Sequence, residues 1–173
     1  MPLVLSGSSG VLDNSGAFVA GTAVASTSGT SIDFTGIPSW VKRVTIMLRG
    51  VYTSGTSSLR FQLGDAGGIE TTGYASNALT TSTSAAVNTA NSTSGFDGGS
   101  IGSSSNVFNG SLVISTLGSN EFVCQGSISN TGDSRFMSIS GGKTLSDTLT
   151  QVRITTVNVT DTFDAGSINI TYE

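Results

Sequence analysis

The groups in this chain most able to do chemistry are two closely spaced pairs of carboxylates. Asp161 and Asp164 form one pair, and Asp65 and Glu70 flank a Gly-rich loop to form the other. Carboxyl groups about 5 Å apart, or about 6.5–9.5 Å apart, hydrolyse glycosides by acid–nucleophile or acid–base pairing. Asp is also a turn former, because its side chain bonds nearby backbone N–H groups. Solvated turn positions are therefore the expectation for these carboxylates. Calcium at Asp65, or at Asp161 and Asp164, would need more oxygen ligands, and the dense spacing of an EF-hand loop is absent. The expectation is no metal, no cofactor and no catalytic residue.

Composition removes the other catalytic sets. With no His, a Ser-His-Asp triad cannot form. A Ser-Lys variant would have to use Lys42 or Lys143, the only lysines, and nothing resembles a nucleophile elbow. The Gly-rich pieces lack the phosphate-loop pattern. A lone Cys124 excludes an intramolecular disulfide, and without His it excludes a Cys/His zinc site within the chain. The net charge is −4, and the seven basic residues are scattered apart from adjacent Lys42 and Arg43, which argues against nucleic acid. No stretch approaches the ~20 apolar residues of a membrane span, so membrane insertion is not expected. The opening residues lack a basic region, so no signal peptide is expected and synthesis is expected in a cytoplasm. The N-x-[ST] triplets at Asn91, Asn109, Asn158 and Asn169 are then expected to stay unmodified.

Recognition is the remaining chemistry. Aromatic faces can stack on the C–H faces of sugars, and Trp40, Tyr52, Tyr74 and Phe96 are the aromatics considered for this. Tyr52 continues a core face, and Trp40, just after Pro38, reads as a cap on the domain. Tyr74 and Phe96 lie near loops and are the preferred stacking residues. With Asp65, Glu70 and Asp97 they make up the candidate recognition set, on loops within 65–74 and 76–106.

The elements that must position these groups read as strands. Val44, Ile46, Leu48, Gly50 and Tyr52 alternate with Arg43, Thr45, Met47, Arg49 and Val51, the period of a half-buried strand. Leu59, Phe61 and Leu63 alternate with Arg60 and Gln62 to complete a hairpin. Similar patterns occur around Phe108–Ile114, Phe122–Ile128, Phe136–Ile139, Val152–Ile154 and Ile168–Tyr172, with Gly/Asn/Asp turns between them. Residues 76–106 are the least hydrophobic stretch and read as a long loop or several irregular strands. Residues 1–30 read as an extended arm with an anchor at Leu3, Val4 and Leu5, ahead of a domain over 31–173. Strands at this spacing, with no helical period, predict an all-β, antiparallel, jelly-roll-like sandwich of about eight to ten strands. Charged residues are only 10%, against about 25% in ordinary domains, so edge strands carry few Lys or Glu and oligomerisation would protect them.

Two segments carry a resemblance. Ser31-Ile-Asp-Phe-Thr-Gly-Ile-Pro-Ser-Trp-Val-Lys-Arg-Val-Thr-Ile, followed by Leu63-Gly-Asp-Ala-Gly-Gly-Ile-Glu-Thr-Thr-Gly-Tyr74, resembles a module of tail fibre and related virion proteins of tailed bacteriophages. Leu149-Thr-Gln-Val-Arg-Ile-Thr-Thr and Asp161-Thr-Phe-Asp-Ala-Gly-Ser-Ile-Asn-Ile-Thr-Tyr-Glu173 are similar to its end, and Met1-Pro-Leu-Val-Leu-Ser-Gly-Ser-Ser-Gly to the start of short phage fibres. The resemblance implies a β-sandwich, often trimeric, carried on a virion and exposed to the host surface. A homotrimer, other virion proteins bound through the arm, and a host-surface glycan are the partners expected. The chain lacks heptads and repeats, so it would be a short fibre or fibre tip without a shaft. A capsid decoration protein and a polysaccharide depolymerase are the alternatives.

Overall fold

Side chains alternate between interior and solvent along most of the longer strands, and that alternation sets the architecture. The computed structural model describes residues 18–83, 87–99, 101–102 and 105–173. Its strands are β1 (Val19–Ala20), β2 (Val24–Ala25), β3 (Ser31–Thr35), β4 (Arg43–Thr53), β5 (Leu59–Asp65), β6 (Gly68–Ile69), β7 (Tyr74–Ser82), β8 (Val87–Ser92), β9 (Phe96–Asp97), β10 (Phe108–Gly118), β11 (Glu121–Asn130), β12 (Arg135–Thr144), β13 (Gln151–Thr156) and β14 (Phe163–Tyr172). No helix occurs among the described residues. The strand pairings are antiparallel.

A nine-stranded sheet runs β1-β14-β4-β10-β11-β12-β7-β8, with β2 also on β14. A five-stranded sheet runs β3-β13-β5-β6, with β9 also on β5. The two pack as a sandwich around one core. Ile32, Phe61, Phe96 and Ile154 enter it from the small sheet, and Ile46, Leu112, Ile128 and Ile139 from the large one. The chain passes between sheets at β2–β3, β3–β4, β4–β5, β6–β7, β8–β9, β9–β10, β12–β13 and β13–β14, the crossings that give the fold its jelly-roll-like character. Between them β10, β11 and β12 form a plain meander.

The structure bears on three expectations. The segment read as an arm joins the large sheet from Val19, with β1 and β2 on β14 and Gly21 N–H donating to Ile170 C=O at 2.8 Å. The anchor residues Leu3, Val4 and Leu5 lie outside the described residues. Of the two alternatives for residues 76–106, strands are found: most of β7, with β8 and β9. Their hydrophobic signal is weak because the interior face of β7 carries Ser76, Ala78 and Thr80. These small residues accommodate the backbone beyond β9, where a Cβ on Gly99 would lie only 1.7 Å from Thr80 Oγ1.

The third is overturned by a register shift within β4. Val44, Ile46 and Leu48 face the core, but beyond Gly50 the inward residues are Val51 and Thr53. Tyr52 turns outward and is half-buried, against the core position expected of it. Gly50 sits at φ 60°, and bulges interrupt the pairing of β4 with β10 and with β14 at this level. An extra residue in one strand reverses the facing of everything after it. Opposite it Gly166, at φ 97°, lies so close that an added Cβ would be 2.3 Å from Gly50 O. Gly50→Ala therefore meets only the backbone cost, about 1 kcal/mol, whereas Gly166→Ala adds a clash and is expected to cost about 3 kcal/mol or more. Chemical denaturation of the two variants measures the difference. Equal losses would contradict the close approach.

Candidate functional site

The outer face of the small sheet follows from register. Leu59, Phe61 and Leu63 point inward, which leaves Arg60 on the opposite face of β5, where Gln62 also lies. In β13, Val152 and Ile154 point inward, which sets Arg153 and Thr155 outward. Pairing then brings Asp33, Arg153 and Gln62 into one row and Ser31, Thr155, Arg60 and Asp97 into the next. Above these rows lies a groove of about 400 Å³ whose lining includes Arg60, Gln62, Thr71, Ser94, Arg153 and Val159. That volume falls in the range of small-molecule sites.

Hydrogen bonds fix the groove. Arg60 donates through Nε and Nη2 to the two oxygens of Asp97, both at 2.7 Å. Arg153 donates in the same bidentate way to Asp33, again at 2.7 Å. The bond to Asp97 holds the Arg60 guanidinium above its usual pKa despite the opposing effect of burial, and the bond to Asp33 does the same for Arg153. Gln62 Nε2 donates to Ser94 C=O at 2.8 Å, and Thr155 Oγ1 donates to Thr30 C=O at 2.7 Å. Such paired, planar groups offer fixed donors and acceptors to a ligand.

The recognition residues read from the sequence are distributed differently. Tyr74 and Phe96 are core residues, 3% and 0% exposed, packed edge to face with ring centroids 5.1 Å apart. They cannot stack on a sugar, because the loop positions assumed for them are the start of β7 and the short β9. The Tyr74 hydroxyl accepts from Leu63 N–H at 2.7 Å and donates to Glu70 C=O at 3.0 Å. Burial raises its pKa. Asp97 is buried and reaches the groove only through Arg60. Trp40 packs half-buried against the core, its ring 5.9 Å from that of Tyr172. The two segments chosen for recognition do meet at the groove, through Thr71 and Ser94 rather than through the residues singled out. Sequence reading missed Arg60, Gln62, Arg153 and Val159. The outward phase of β5 and β13 was visible, but the pairing that sets the two strands side by side was not.

Asp65 and Glu70 form a latch. The Ser146 hydroxyl lies 2.7 Å from Asp65 Oδ2 and 2.8 Å from Glu70 Oε1, and Glu70 Oε1 also accepts from Ser146 N–H at 2.7 Å. Asp65 Oδ1 accepts from Gly67 N–H at 2.7 Å. The Lys143 ammonium, on β12, donates to Glu70 Oε2 and to Thr144 C=O, and lies 5.3 Å from the centre of the Tyr74 ring. An ammonium bound to a carboxylate is no general base. The Ser146 hydroxyl, followed by the Gly67 N–H, holds Asp65 below the usual carboxylate range. Burial pushes Glu70 up, but Lys143 and Ser146 outweigh it and the net direction is down. A glycosidase acid needs the opposite shift. The second pair is also tied: Asp161 accepts from Ser57 N–H at 2.9 Å and Asn158 Nδ2 at 2.6 Å, and Asp164 from Thr162 Oγ1 at 3.0 Å. Among the described residues no three His, Cys, Asp or Glu come together as metal ligands. Cys124 is buried, and that burial pushes its thiol up to about 12.

No protein-family model matches the chain, and no curated protein matches it.

The latch has a signed pH dependence. Both folded-state pKa values are lowered, so its contribution is complete above the ordinary carboxylate range and is lost as pH falls through the folded values. The thermal unfolding midpoint is expected to fall on acidification from about pH 5 towards pH 2, and Ser146→Ala should flatten that fall. Glu70→Ala leaves Lys143, whose side chain is 4% exposed, without its carboxylate. It is expected to cost about 3 kcal/mol at neutral pH. Circular dichroism melts across pH check both, and a Ser146→Ala curve parallel to the parent curve would contradict the latch.

Proposed function

We propose that this chain is a structural protein of a phage virion, a short tail fibre or fibre tip that recognises the host surface and acts without catalysis. The observation that carries the reading is the use of its polar groups: the suspect carboxylates are bound into turns and a latch, while a fixed polar groove stays open on the small sheet. A fibre tip needs a rigid scaffold with a recognition surface, and the sandwich offers both.

A second surface supports assembly as a homotrimer. Residues 71–120 contain one charged residue, Asp97, which is buried. Within that stretch β7, β8 and β10 contribute to one flank of the large sheet. There Phe136 pairs with Thr81, which pairs in turn with Val87, and Leu79 is two residues along β7. Phe136, Val87 and Leu79 are all exposed. A face with little charge and with exposed apolar side chains favours contact with other subunits. At the other edge β1 and β2 strap residues 19–25 along β14, which gives the chain preceding them a fixed point of departure towards other virion proteins. Host glycan is the ligand class proposed for the groove.

A cryo-EM map of the particle that carries this chain tests the proposal. Density for the sandwich at the tail is the expected result. Density on the capsid lattice would replace the proposal with a decoration protein, and absence from the particle would end the virion reading.

A further inference from the structure

Val159 sits where the fold alone gives least reason for it. It is β-branched, yet its φ is 57°, in the left-handed region that such residues avoid. It is apolar, yet 56% exposed. The turn around it is tightly held: Asn158 Oδ1 accepts from Thr160 N–H and Asp161 N–H, both at 3.1 Å, and Val159 N–H donates to Thr156 C=O at 3.1 Å. Backbone strain that the surroundings enforce marks positions where a side chain is needed in a set place. Val159 lines the small-sheet groove.

The groove below it has balanced charge. Arg60 faces Asp97 and Arg153 faces Asp33, each pair directly opposed in the strand register. An anionic ligand would have to compete with a carboxylate already bonded at two points. A neutral ligand need not. In this bidentate arrangement Arg153 donates through Nε and Nη2, and among the described residues no hydrogen-bond acceptor takes its Nη1. The Thr71 hydroxyl is exposed at the same groove.

We propose that this groove binds a neutral sugar ring. Val159 packs against the C–H face of the ring, while Arg153 Nη1 and the Thr71 hydroxyl bond its hydroxyl groups. The site deepens the host-recognition reading and rests on that reading only for the source of the sugar.

Amide chemical-shift mapping of the full chain tests it, with the methyl glycosides of glucose, galactose, mannose and N-acetylglucosamine as probes and glucuronate as the acidic comparison. At least one neutral glycoside is expected to shift the amides of Thr71, Ser94, Arg153 and Val159 saturably, and more tightly than glucuronate does. Val159→Gly suits the left-handed backbone, so it should preserve or raise the unfolding midpoint while weakening the sugar about tenfold. Thr71→Trp should fill the groove and abolish the shifts. No saturable shift at these amides with any neutral glycoside, tighter binding of glucuronate, or unchanged affinity in Val159→Gly would each overturn the proposal. The particle map and this titration fail separately: a chain found on the capsid lattice can still bind a sugar here, and a chain at the tail can fail to.

Discussion

A chain with seven Lys and Arg against eleven Asp and Glu has few charges to place, and this fold uses them as ties. Asp33 with Arg153 and Asp97 with Arg60 lock neighbouring strands of the small sheet. Arg43 with Glu173 closes the start of β4 on the end of the chain, and Asp133 with Arg135 closes the β11–β12 turn. Among the described residues only Lys143 with Glu70 crosses from one sheet to the other, and it is the most enclosed of the cations. The exposed pair at Arg43 contributes little to stability, because solvent screens it. The Lys143 pair differs, since removing either partner leaves a charge away from water. Ser146 extends it to Asp65, so a small polar cluster anchors the end of β5 and the segment after β6 to the loop after β12.

That economy connects the fold to the proposed role. A surface with little charge and many hydroxyls discriminates by shape and hydrogen-bond geometry, which requires a scaffold that does not yield. Bulges at Gly50 and Gly166 set the facing of β4 and its neighbours, the latch joins the two sheets, and the bidentate Arg–Asp pairs stiffen the groove floor. Carboxylates occupied in this way contribute rigidity. On this account several weak sites in an oligomer would combine through effective concentration to give useful affinity.

The fold class was legible in the sequence because alternation survives wherever interior positions are large. Ile46, Leu48, Phe61, Leu63, Leu112 and Ile114 made their strands visible, and all are buried. Where interior positions are small the signal fades, as in β7 with Ser76, Ala78 and Thr80. A bulge is also hard to read, since Gly50 resembled any other strand residue until its φ showed that Tyr52 and Val51 exchange faces. The groove was the least legible part. Asp33, the Arg60 and Gln62 pair on β5, and Arg153 lie far apart in sequence, and only the order β3-β13-β5 places them together. Aromatic residues near Gly and Ser suggested exposed loops, but in Tyr74 and Phe96 they were core residues beside short turns.

The central claim is that Asp65 and Glu70 are structural ties and not an acid–base pair. NMR titration of their side-chain carboxyl carbons tests it most directly. The account predicts that each takes up its proton at lower pH than an ordinary Asp or Glu does. If either carboxyl took up its proton well above the ordinary carboxylate range, as the general acid of a glycosidase does, the account would be contradicted and the depolymerase reading restored.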